Sequence, residues 1–157
     1  MSDGMLLDRI PPQNLDAERS TLGAMFLEKE AIYRAMEILR PKDFYKDAHR
    51  LIYQTVLDLT NRGEPVDLVT VTEDLRQKDL MEKIGGVTYL TELAGSVPTA
   101  AHVEFYARIV EEKSLLRQLI HAATEIVSLG YDAQDEVGNI LDRAEHLIFS
   151  IANRRTG

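Results

Sequence analysis

Apolar residues recur every three or four positions through most of this chain, a spacing that places them on one face of an α-helix. Three such faces cover residues 15–26, 32–39 and 48–59. The second must end before Pro41, because a proline ring disfavours helical geometry in the residue before it. Gly63, in a Gly-Glu-Pro sequence, ends the third. This part of the chain therefore predicts three short helices.

The start of the first helix carries strong local signals. Pro11 and Pro12 hold the chain extended, and Asn14 is a typical capping residue for free backbone N–H groups. Asp16 and Glu18 are negative, which is favourable at the positive end of a helix dipole. We therefore expect a well-capped helix.

Residues 66–72 are ambiguous between strand and helix. Their β-branched side chains favour a strand. However, Thr70 with Glu73 three positions later forms a capping-box pattern, and Leu75 continues a helical face. We predict a helix. Gly85-Gly86 then precedes one more short helix over 87–94, which completes a compact bundle.

The last third of the sequence has a different pattern. From Thr99, a typical cap, about 30 residues pass without glycine or proline until Gly130. A helix of that length spans roughly 45 Å, which is longer than the bundle needs. A final helix follows Asp132, with apolar residues in heptad-like steps over 137–151. The short connection between these helices predicts a protruding antiparallel hairpin.

The fold class is therefore all-α: a compact bundle of short helices followed by a protruding antiparallel two-helix hairpin. We expect a flexible N-terminal arm at residues 1–13, a globular helical subdomain at 14–98 and the hairpin at 99–152.

The hairpin has more apolar surface than two helices can bury against each other, so the surplus must meet another surface. We favour a symmetric dimer through the hairpin. The alternative is a monomer in which these faces pack on residues 15–95. The dimer candidates are Phe105, Ile109, Leu116, Leu119, Ile140, Ala144 and Leu147.

Charge and composition narrow the class of partner. The net charge of −8 argues against strong direct binding to nucleic acid, which depends on clustered Lys and Arg, and favours proteins as partners. The absence of cysteine excludes disulfides and thiolate zinc sites, and fits the cytoplasm. The sequence contains neither a secretory signal pattern nor a run of about 18 apolar residues, so we expect no membrane association.

Candidate catalytic patterns are missing. No two glycines stand five positions apart, so the phosphate-binding loop of nucleotide hydrolases is absent. No histidine has a carboxylate three positions before it, as di-iron helical bundles require. We therefore expect no catalytic residues, cofactor or metal in this chain. A small all-α metal-dependent enzyme is the alternative from another functional class.

Five stretches carry a family resemblance, in order along the chain: PPQNLDAERSTLGAM (11–25), PKDFYKDAHRLIY (41–53), GEPVDLVTVTEDL (63–75), GGVTYLTEL (85–93) and PTAAHVEFYARIVEEKSLLR (98–117). Together they resemble the N-terminal domain of DnaB-type bacterial replicative DNA helicases. The resemblance runs from Pro11 to about Ala152.

This resemblance implies a collar on one side of a hexameric ring, built as a trimer of dimers, that docks the C-terminal helicase-binding domain of primase. It places ATP and Mg in a later RecA-like motor domain, with residues 153–157 at the start of the linker. We therefore expect a non-catalytic part of a bacterial cytoplasmic helicase, either an excised fragment or a natural short homologue.

Three apolar residues are candidates for contact with primase, and each is at least as compatible with a place in the chain's own core. They are Tyr89, Ile120 and Ile126. A purely structural oligomerisation module without affinity for primase is the alternative function.

Overall fold

The computed structural model describes residues 9–156, with side chains to Arg154, and this range forms eight α-helices and no strand. The all-α prediction is confirmed. Residues 1–8, most of the predicted arm, and Gly157 lie outside the described residues. The helices are α1 (Leu15–Leu27), α2 (Lys29–Ile38), α3 (Asp47–Asn61), α4 (Leu68–Gln77), α5 (Met81–Ile84), α6 (Gly86–Ala94), α7 (Val103–Asp132) and α8 (Val137–Thr156), with a 3-10 turn at Pro41–Asp43.

The ends of the helices confirm some capping predictions and correct others. Asn14 Oδ1 accepts a hydrogen bond from Ala17 N at 2.9 Å, so the predicted cap of α1 is confirmed. Helix α4 forms as predicted, but the pairing of Thr70 with Glu73 was wrong. Asp67 is the cap: its carboxylate accepts from Thr70 N at 2.8 Å, and Thr70 Oγ1 accepts from Asp67 N at 2.9 Å.

The long helix α7 is shifted from its predicted limits. Thr99 Oγ1 accepts from Ala101 N in the turn before the helix, which begins at Val103. Gly130 lies inside α7, and the helix ends at Asp132. One glycine costs a helix about 1 kcal/mol, which is too little to end it by itself. Ala133, with φ of 43°, makes the turn into the loop.

Contacts within the chain define two compact units, residues 13–113 and a second unit that includes residues 9–12 and 114–156. The core of the first unit contains large side chains that are fully buried, among them Leu22, Phe44, Ile52, Tyr53 and Leu90. Tyr53 donates its hydroxyl hydrogen bond to Leu39 O at 2.9 Å. Burial raises the pKa of the Tyr53 phenol, so this buried group stays a donor.

Helix α1 lies close to the end of α6 at Gly23. A Cβ atom at this position would lie 2.1 Å from Ser96 Oγ and 2.6 Å from Leu93 O. Ser96 follows α6 and donates to Leu93 O at 2.7 Å. A glycine is therefore required here because of the space between helices, and Gly23 has an ordinary helical backbone.

A charge cluster joins α3 to α4. Asp74 is buried, and its carboxylate accepts from Arg62 Nη2 at 2.9 Å and lies 2.8 Å from Lys78 Nζ. The same ammonium lies 2.8 Å from Asp58 Oδ2. Burial alone would raise the pKa of Asp74, but the ion pairs with Lys78 and Arg62 outweigh it and lower that pKa. The hydrogen bond from Lys78 lowers the pKa of Asp58 in the same way.

This cluster predicts that acid weakens the fold. A carboxyl whose folded pKa lies below its unfolded value stabilises the protein above the unfolded pKa and loses that contribution as pH falls through the folded pKa. Both aspartates start from 3.8, so the free energy of unfolding should decline from about pH 5 downwards. Urea unfolding at several pH values measures this, and Asp74→Asn should flatten the decline. Glu30→Gln, at an exposed pair 3.9 Å from Arg34, is the control and should leave the slope unchanged. An equal slope in Asp74→Asn and the unmodified chain would contradict the prediction.

The second unit contains the C-terminal half of α7 and the antiparallel α8. Arg143 on α8 lies 3.4 Å from Glu125 on α7, and these two positions are at similar distances from the connecting loop. At the start of the unit, Arg117 Nη1 donates to Pro12 O at 2.7 Å. Pro12 is therefore attached to α7.

Candidate docking surfaces

Helix α7 carries an apolar stripe that faces solvent. Each of its members lies three or four positions from another member, so they share one side of the helix. The exposed fraction runs from 44% at Leu119 to 89% at Tyr131. We call this surface the α7 stripe, and its members are Leu116, Leu119, Ile120, Ala123, Val127 and Tyr131.

Helix α8 adds a second exposed apolar face. Val137, Leu141 and Ile148 are exposed at four- and seven-residue spacing, and Phe149 is exposed beside them. Single exposed apolar residues are common on soluble proteins, whereas several on one helix face are typical of an interaction surface. The second unit therefore exposes apolar side chains on both of its helices.

The dimer candidates fall into three groups. Leu116 and Leu119 belong to the α7 stripe, and Phe105, near the start of α7, is 73% exposed. Ile109 is half-buried against the core of residues 13–113, so part of its side chain is already covered within the chain. The others, which are half-buried on α8, are Ile140, Ala144 and Leu147.

The primase-contact candidates are also divided. Ile120 lies in the α7 stripe, whereas Ile126, seven residues after Leu119 at the edge of the stripe, is half-buried. Tyr89 is half-buried on α6, in the unit formed by residues 13–113. The structure therefore places the three candidates in different surroundings.

Tyr89 borders an open groove of about 310 Å³, whose lining includes Lys46, Lys83, Thr88 and Glu92. The Tyr89 hydroxyl and His49 Nε2 are hydrogen-bonded at 2.5 Å. The two rings are stacked, with centroids 5.8 Å apart and planes 12° from parallel. On the ring of Tyr89, Lys46 Nζ lies 4.4 Å from the centroid, a cation–π contact.

Sequence reasoning missed the role of Glu18. This residue stands in the first turn of α1, as expected, but its carboxylate is buried at the start of α3. It accepts from Tyr45 N at 2.7 Å, from Lys46 N at 3.3 Å and from His49 Nδ1 at 2.7 Å. Because an ionised carboxylate only accepts, Nδ1 of His49 is a donor, and Nε2 faces the Tyr89 hydroxyl. No local pattern signals this cluster, since Glu18 and His49 are 31 positions apart.

Across residues 9–156, no group of three histidine, aspartate or glutamate side chains is arranged to hold a metal ion. A search of the same residues finds no helix that is both long and apolar enough to cross a membrane.

A family model described as "DnaB-like helicase N terminal domain" matches residues 10–112 of this chain. The replicative DNA helicase DnaC of Bacillus subtilis is 54% identical over 151 residues, which are 96% of this chain and 33% of that protein. The replicative DNA helicase DnaB of Geobacillus stearothermophilus is 53% identical over 148 residues, again 33% of that protein. The chain thus spans about a third of the length of these relatives.

Two solved structures resemble the fold. The N-terminal domain of DnaB helicase from Mycobacterium tuberculosis superposes with a TM-score of 0.85 at 48% identity, over 90% of this chain and 99% of that one. A DnaB-like replicative helicase, whose structure was described with its interactions with primase, superposes with a TM-score of 0.72 at 29% identity. That match covers 88% of this chain and 31% of the other.

Proposed function

Because this chain belongs to the family of DnaB-like helicase N-terminal domains, we propose that it organises the subunits of a hexameric bacterial replicative helicase and docks primase. It is the non-motor domain in this proposal. Unwinding, ATP and Mg belong to the remaining two thirds of the relatives' length. Its place of action is the bacterial cytoplasm, where DNA replication occurs. Residues 99–152 act as the pairing hairpin, next to a globular subdomain at 14–98.

The α7 stripe is the observation that carries the proposal. It presents apolar side chains over several helical turns, from Leu116 to Tyr131, and all of them are exposed in the single chain. Such a surface gains free energy when a partner removes it from water. Leu116 and Leu119, together with Phe105 and the half-buried residues of α8, would form a dimer contact, and dimers would assemble as a trimer of dimers.

Docking of the C-terminal helicase-binding domain of primase is the second part of the proposal. The related helicase with 29% identity was described with primase, which supports this class of partner. Ile120 offers an exposed apolar side chain, and Tyr89 offers an aromatic ring with a polar edge, a residue type that is common at interface hot spots. Ile126, which is half-buried on α7, would contribute less to binding than Ile120.

Ile120→Asp tests primase docking. The substitution places a carboxylate on an exposed apolar position, so the fold should survive while binding is lost. A hot-spot loss of about 2 kcal/mol corresponds to roughly 30-fold weaker binding. Calorimetric titration of the primase domain onto this chain measures the dissociation constant, and circular dichroism checks helicity. Val69→Asp, at a 77% exposed position on α4, is the matched control and should bind as the unmodified chain does.

Two results would count against docking. Equal affinity of Ile120→Asp and the unmodified chain would remove Ile120 from the contact. A complete lack of binding by the unmodified chain at tens of micromolar would favour the alternative, an oligomerisation module without affinity for primase.

A further inference from the structure

Tyr89 is held from two sides by residues at the start of α3. His49 contacts it twice, through the 2.5 Å hydrogen bond to the hydroxyl and through ring stacking. Lys46 covers the ring with its ammonium group at 4.4 Å from the centroid. The side chain of Tyr89 therefore has few orientations available, although part of it faces the groove.

Both supporting residues depend on the same buried carboxylate. Glu18 Oε1 accepts from Lys46 N at 3.3 Å and from His49 Nδ1 at 2.7 Å. The side chains of Glu18 and His49 are 2% and 0% exposed, so this contact is shielded from water. A buried polar network whose members are all hydrogen-bonded rigidifies its surroundings. Glu18, a residue on α1 that does not line the groove, thus supports both residues that hold Tyr89, while its neighbour Arg19 also interacts with the Tyr89 hydroxyl.

The backbone before α6 also fits closely around this side chain. Gly85 has φ of 97°, a left-handed conformation that glycine adopts without strain. A Cβ atom there would lie 3.1 Å from the Cβ atom of Tyr89. The base of the tyrosine is therefore packed against the Gly85 backbone while its hydroxyl is held by His49.

We propose that the buried Glu18–His49 pair holds the Tyr89 ring in the orientation that binds a partner protein, so that His49 is a positioning residue of this docking surface. The inference rests on the proposed docking of primase at Tyr89. A side chain that is ordered before binding does not have to be ordered by the partner. Loss of such preorganisation weakens affinity by about 2- to 10-fold for one side chain.

Two substitutions of His49 separate positioning from general stability. The amide of His49→Asn can occupy the Nδ1 position and still donate to Glu18, but it is too short to reach Tyr89. The amide of His49→Gln reaches the Nε2 position and the Tyr89 hydroxyl, but it no longer donates a hydrogen bond to Glu18. We expect His49→Asn to bind the primase domain about 2- to 10-fold more weakly, and His49→Gln to recover part of that loss, because it restores the hydrogen bond to Tyr89 without the support of Glu18. If His49 only stabilised the fold, the variant with the lower unfolding midpoint would also be the one that binds primase more weakly.

A double-mutant cycle completes the test. Tyr89→Phe keeps the ring and removes the hydroxyl, which also interacts with Arg19, so it should weaken primase binding at least as much as His49→Asn does. The double variant should bind no more weakly than Tyr89→Phe alone, because that substitution already removes the hydrogen bond to His49. Tyr33→Phe is the control, because Tyr33 is an exposed tyrosine on α2 beside Lys29 and lies outside this cluster. This variant should bind the primase domain as tightly as the unmodified chain does.

The possible failures are distinguishable. The proposed docking at Tyr89 is wrong if the unmodified chain does not bind the primase domain, or if Tyr89→Ala binds it as tightly as the unmodified chain does. Either result also overturns the positioning role of His49. If Tyr89→Ala weakens binding but His49→Asn does not, or if the two losses add in the cycle, only the positioning role is overturned. If His49→Asn does not fold, Tyr89→Phe decides by itself, and unchanged affinity of that variant overturns positioning.

Discussion

Replacing Glu18 by alanine is expected to lower the free energy of unfolding by about 3–5 kcal/mol, because it leaves three buried or half-buried donors without their acceptor. Each unsatisfied buried donor costs about 1–3 kcal/mol. The carboxylate also joins α1 to the start of α3, so the loss affects helix packing as well as hydrogen bonding. Urea unfolding monitored by circular dichroism gives the free energy directly.

Two variants sharpen this measurement. Asp16→Ala removes another acidic residue from the first turn of α1, where its ion pair with Arg19 is exposed, and it should cost less than about 1 kcal/mol. Glu18→Gln keeps the shape of the side chain and one acceptor oxygen, so its loss should be intermediate. If Glu18→Ala costs no more than Asp16→Ala, the buried network does not stabilise the fold.

Leu119→Asp is expected to dissociate dimers of this chain. In a symmetric dimer the same surface is used by both subunits, so one substitution removes two contacts. At about 2 kcal/mol for each contact, the dissociation constant should rise by roughly three orders of magnitude. Leu119 is half-exposed in the single chain, so the fold should tolerate the change. Leu147→Asp should dissociate dimers too, but Leu147 is less exposed and its loss could also disturb the packing of α8.

Light scattering over a range of concentrations measures the mass of each variant. Val69→Asp, which changes an exposed apolar residue of α4, is the control and should retain the mass of the unmodified chain. An unchanged mass for Leu119→Asp would show that the α7 stripe is not the contact between subunits. In that case the stripe would be free for another partner.

Helix prediction succeeded where the signal was local. The N-cap at Asn14 and the end of α2 before Pro41 depend on neighbouring residues, and both appear as expected. The exact start of α4 was missed because Thr70 fits two roles, cap and third helical residue, and Asp67 takes the cap. Helix α5, with four residues, is too short to have a periodic pattern of its own.

The candidate site was only partly predictable from the pattern. Apolar periodicity identified the residues of α7 that favour burial. It does not show which of them are buried within the chain and which stay exposed. Ile109 packs against the core, whereas Leu119 and Ile120 stay exposed, although all three are apolar residues of one helix. Burial depends on what lies opposite, and that is a property of the packed helices.

The all-α class, the approximate positions of most helices and the family resemblance could be predicted from the sequence, since these follow from periodicity, capping and residue order along the chain. Only the tertiary structure decided that Glu18, His49 and Tyr89 form one cluster. Their contacts cross 31 and 40 positions of sequence, and hydrogen bonds of that range arise only when α1, α3 and α6 pack together. The physical reason is that helix formation is governed by neighbours within about one turn, whereas burial and long-range hydrogen bonding are governed by packing.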